Sequence, residues 1–88
     1  MPTISIFFGI VIQMYWRDHN PPHLHAFYQG REALFDIGSG AVIGGGLPSK
    51  AERIVTDGIE ARRPALLDNW ERGRLHQQLN QVPGADVE

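Results

Sequence analysis

The chain has no cysteine. That excludes disulfides, thiol nucleophiles and zinc sites built on thiolates. Clustered positive charge is missing too. Eight Lys and Arg stand against ten Asp and Glu, a net charge of −2, and neither half is basic. Phosphate binding draws on grouped Lys and Arg, so nucleic acid is not an expected partner. No apolar run reaches the roughly 20 residues of a membrane helix. The apolar start, MPTISIFFGIVIQMYW, is interrupted by Gln13 and has neither the basic region nor the cleavage site of a signal peptide. It reads as strands. No membrane is expected, and a cysteine-free chain fits a cytoplasmic home. Ser and Thr are present, but none stands in a nucleophile motif.

With 42% hydrophobic and 20% charged residues, the 88-residue chain has the composition of one small globular domain. β-branched and aromatic residues dominate its first half. TISIFFG is a strand bent at Gly9. In IVIQMYW, Ile10, Ile12, Met14 and Trp16 share one face, and Val11, Gln13 and Tyr15 the other. HLHAFY and REALFDI flank a turn at Gln29-Gly30, and a short last strand, AVI, precedes a GGGLP exit. A helix begins at Ser49, with Ser49 and Glu52 at capping-box spacing and Ala51, Ile54, Val55 and Ile59 as its buried stripe. Pro64 breaks it, and a second helix carries Leu66, Leu67 and Trp70. Trp16 and Trp70 read as core anchors. The expected fold is α+β: an antiparallel sheet of three to four strands with two C-terminal helices packed on one face. Residues 1–74 form the domain, and 75–88 a helix end and frayed tail.

Three of the four histidines fall in one stretch, RDHNPPHLHAF, Arg17 to Phe27. Proline restricts itself and the residue before it, so Asn20-Pro21-Pro22 reads as a stiff, extended connector. A two-residue turn at Gln29-Gly30 sets Leu24 opposite Phe35, Ala26 opposite Ala33, His25 opposite Leu34 and His23 opposite Asp36. Apolar then meets apolar on one face, which the helices should cover. A slip of one residue would scramble that separation. The other face collects His23, His25, Phe27, Glu32, Leu34 and Asp36. The candidate site is therefore Asp18, His19, His23, His25 and Asp36, with His23 and Asp36 paired across the hairpin.

MPTIS, GIVIQMYWRDHNPPHLHA, FDI, LP and LLDNWE together resemble the small bacterial proteins of the domain-of-unknown-function 4160 family. The likeness runs from Met1 to about Arg72. DHNPPHLHA is its most specific part, and Phe27 departs from the polar or charged residue usual there. The resemblance implies no assigned activity and no catalytic residues. It does imply a neighbouring gene for a second small protein, an arrangement similar to toxin–antitoxin pairs.

Two readings of function follow. The leading one is a protein-interaction module, a homodimer or the mate of a small cognate protein. Its interaction face is Val11, Tyr15, Phe27 and Leu34, and it needs no cofactor. The alternative is a metal-dependent hydrolase or nuclease centred on His19, His23 and His25. Zinc is the natural ion there, with His23 as base and Asp36 orienting it.

Overall fold

The structure, a computed structural model, describes residues 2–84. Five strands come first: β1 (Thr3–Phe7), β2 (Ile10–Gln13), β3 (His23–Tyr28), β4 (Arg31–Asp36) and β5 (Val42–Gly45). They form one antiparallel sheet in the order β1-β2-β3-β4-β5, each strand beside its neighbour in sequence. A single helix, α1 (Ser49–Arg74), follows.

The turns explain the meander. Phe8-Gly9 joins β1 to β2, and Gln29-Gly30 joins β3 to β4, each with positive φ at both residues (51° and 76°; 49° and 77°). That backbone matches the right-handed twist of the flanking strands, so a two-residue hairpin closes without splaying. The β3–β4 register is the expected one, from His23↔Asp36 through Leu24↔Phe35 to Tyr28↔Arg31. Leu24, Ala26, Ala33 and Phe35 are buried, together with Ile4, Ile10, Ile12 and Met14 and, from α1, Ala51, Val55, Ile59 and Leu66.

The expectation of three to four strands and two helices is corrected. There are five strands, because TISIFFG and IVIQ are separate and VIGG pairs with β4. There is one helix, because Pro64 does not end it. The distortion sits two residues earlier, at Arg62 (φ −124°, ψ 20°), where α1 kinks. Proline in a helix interior removes one hydrogen bond and crowds the preceding turn, and a kink absorbs both. Val55 and Ile59 before the kink, and Leu66, Asn69 and Gly73 after it, stay buried, so both halves remain seated. Thr56 Oγ1 donates to the Gly40 carbonyl (2.8 Å) and Arg63 Nε to the Ile37 carbonyl (2.8 Å), tying the middle of α1 to the β4–β5 turn.

The helix start differs in detail. Pro48 is the N-cap and has no side-chain cap bond, while Glu52 Oε2 accepts from Leu47 N–H (3.0 Å). The segment after α1, read as a frayed tail, packs as far as Gly84. Leu79 and Val82 are buried, Asn69 exchanges two 2.8 Å bonds with the backbone of Asn80, and Val82 N–H donates to the Ile4 carbonyl (2.7 Å). The rest of that expectation, residues 85–88, lies outside the described residues. Trp16 is no core anchor: it is 46% exposed and donates from Nε1 to the Gln77 carbonyl (3.0 Å).

Candidate metal centre

Alternation along β3 puts His23 and His25 on the face away from the apolar core. They are nevertheless buried, at 7% and 8% exposure. Their cover comes from two directions. Tyr15, just past β2, stacks on His25 with ring centroids 4.1 Å apart and planes 13° apart. Trp70 of α1 lies against His23, centroids 5.2 Å apart. The loop between β2 and β3 then brings Asp18 back over both rings. It is not the extended connector expected of Asn20-Pro21-Pro22: the chain bends at Asn20 and Pro21.

Asp18 Oδ2 lies 3.0 Å from His23 Nε2 and 3.2 Å from His25 Nε2. The other ring nitrogens are also engaged. His23 Nδ1 is 2.8 Å from the Pro21 carbonyl oxygen, and His25 Nδ1 is 3.0 Å from Glu32 Oε2. A carbonyl and a carboxylate accept and do not donate, so both Nδ1 atoms carry the hydrogen. A neutral imidazole then presents a lone pair at Nε2. Both lone pairs point at a carboxylate oxygen, a contact that needs a positive charge between them, either protons or a cation. Asp18, His23 and His25 offer one ligand atom each, all within 4.8 Å of one another. The two spacings to Asp18, 3.0 and 3.2 Å, are hydrogen-bond distances, and these three residues are the ones that would hold a divalent ion.

The site differs from the expected set. Asp18, His23 and His25 come together; His19 and Asp36 do not join them. His19 is exposed, and its part is played by the backbone: its N–H donates to Asp18 Oδ1 (2.9 Å) and leaves Oδ2 to the imidazoles. Asp36 is the Cα partner of His23, but its Oδ1 accepts from Ser39 N–H (2.9 Å) at the β4–β5 turn. The expected His23–Asp36 pair is thus replaced by His23–Asp18. Glu32, which orients His25, sits diagonally across the ladder, where a long side chain still reaches. Its position on this face was readable from the alternation. Trp70's place beside His23 had no sequence signal. Val11, Tyr15, Phe27 and Leu34 are half-buried.

Burial by itself would raise the Asp18 pKa. The His19 N–H and the two imidazoles outweigh it and hold the carboxyl below its usual range. Burial, with Glu32 and Asp18 nearby, pushes the Tyr15 phenol up. A carboxyl lowered on folding contributes stability that is complete above its unfolded value, about 3.9, and is lost as pH falls through the folded one. In metal-free protein, urea unfolding between pH 6 and pH 2.5 should show wild type losing more stability below about pH 4 than Asp18→Asn does. Parallel curves would remove Asp18 from the network.

A family model described as "Domain of unknown function (DUF4160)" matches residues 9–71, most of the chain and all of this centre. The chain belongs to that family. No curated protein and no solved structure matches it. The matched span of this DUF4160 chain ends within α1, and among the described residues no helix is long and apolar enough to cross a membrane.

Proposed function

We propose that this DUF4160 chain is a divalent-metal domain whose ligands are Asp18, His23 and His25. Zinc is the ion that two imidazoles and a carboxylate suit. The observation that carries the reading is the outward engagement of both Nδ1 atoms, by Pro21 and Glu32, which fixes both Nε2 atoms as donors toward one point. Metal-ligating histidines have such partners almost without exception, since these lock ring orientation and raise ligand basicity. Three protein ligands leave a coordination position open, the pattern of catalytic rather than structural zinc, so the chemistry in view is hydrolytic.

Metal analysis of tag-free protein tests this. One zinc per chain is expected, with none retained by the His23→Ala/His25→Ala double variant. Metal-free wild type after equilibration with zinc would sink the reading.

A second reading, a cytoplasmic interaction module paired with itself or with a cognate protein in a toxin–antitoxin-like arrangement, is favoured by a different observation. Ile6 of the edge strand β1 and Phe8 of the turn after it are 64% and 59% exposed. Apolar surface left open in this way is typical of association sites.

A further inference from the structure

Resting on the metal centre proposed above, we infer that the cleft beside Asp18 is an oxyanion subsite, holding a phosphate or carboxylate group of the ligand that takes the metal's open position. The cleft is small and is lined by Tyr15, Asp18, Trp70 and Arg74. Its two aromatic walls are the rings that cover the imidazoles, Tyr15 over His25 and Trp70 against His23. Asp18 belongs both to the cleft wall and to the ligand set, so the cleft lies beside the proposed centre.

Charge selects the ligand class. A divalent ion with Asp18 and two neutral imidazoles carries one net positive charge. Glu32 stands behind His25, on its Nδ1 side, away from Asp18. The one cation lining the cleft is Arg74. It is paired with Glu71 through Nε and Nη2, which orients the guanidinium, while Nη1 makes no hydrogen bond to any described residue. A planar guanidinium with donors to spare matches an oxyanion by geometry as well as charge. The narrow cleft has room for about one water-sized group, so it takes a single oxygen of the anion and leaves the remainder in solvent.

Calorimetric titration with inorganic phosphate tests the subsite, after zinc stoichiometry has been measured on the same samples. Zinc-loaded wild type should bind phosphate at least tenfold more tightly than zinc-loaded Arg74→Met, and than metal-free wild type. Glu71→Gln, which keeps the guanidinium and removes its partner, should bind at least as well as wild type. Acetate in place of phosphate separates the sources: tighter phosphate binding assigns a phosphoryl group, tighter acetate binding a carboxylate. Equal phosphate affinity in wild type and Arg74→Met, with both holding zinc, overturns the subsite and leaves the metal centre standing. Failure of wild type to hold zinc overturns both.

Discussion

Zinc at a hundredfold excess over its dissociation constant should raise the unfolding free energy of the wild-type chain by about 2.7 kcal/mol, since a ligand that binds only the folded state stabilises by mass action. For a domain of this size that is a rise in melting temperature of about 10–20 °C. The Asp18→Asn variant should show almost none of it. It keeps the shape of the side chain but loses the charge that brings both Nε2 atoms to one oxygen. Glu32→Ala should fall between the two. All three ligands remain, but His25 Nδ1 loses the acceptor that fixes its ring, and partners of that kind are worth about 10–100-fold in metal affinity. Thermal unfolding over a zinc series, monitored by circular dichroism, gives all three curves. Equal shifts in wild type and Asp18→Asn would mean that the ion binds elsewhere.

Phe35→Ala should be the most damaging single truncation in the sheet. Phe35 is fully buried opposite Leu24 of β3, in the core cluster that α1 also enters, and removing a buried phenyl costs about 3–5 kcal/mol in transfer and cavity terms. A domain of this length has a total stability on the order of 4–13 kcal/mol, so the variant should lose a large share of it and, at the lower end of that range, reach its unfolding midpoint. Phe8→Ser removes a similar ring at 59% exposure and should change stability by less than about 0.5 kcal/mol. Urea midpoints of the two variants read the difference. If Phe8→Ser cost as much as Phe35→Ala, the assignment of the buried face would be wrong.

What could be read from the sequence followed from local rules. The β3–β4 register was legible because side chains alternate with a period of two, and only one register sets Leu24 and Ala26 against Phe35 and Ala33. The face carrying His23 and His25 came with it. The extent of the last strand was harder: AVI reads as a strand, but Gly44 and Gly45 read as an exit loop until they are seen beside Leu34 and Ala33. The fate of Pro64 depended on packing beyond the kink, since Leu66 and Asn69 hold the second half of α1 in line. The ligand role of Asp18 was hidden because it rests on how the nine residues between β2 and β3 fold back, not on a repeat. Asp36 shows the converse. Its Cα position was correct and its side chain was not, because a nearby N–H at Ser39 competes successfully for the carboxylate. Leu79 continues the helical spacing in the sequence but lies beyond the end of α1, and its burial, like that of Val82, is a long-range event.

The last stretch of described chain has a consequence for how this domain meets other molecules. β1 is an edge strand, and an open edge is a template on which a foreign strand can be added, the usual route to fibrous aggregation. Here Val82 bonds the Ile4 carbonyl and Gln81 Nε2 donates to the Thr3 carbonyl, so the rim is already occupied from within the molecule. The opposite rim, β5, has four residues, two of them glycine, and its ladder to β4 is interrupted between Leu34 and Phe35. Neither rim offers a long, regular backbone for polymerisation, so anything that recognises this domain must do so through its side chains.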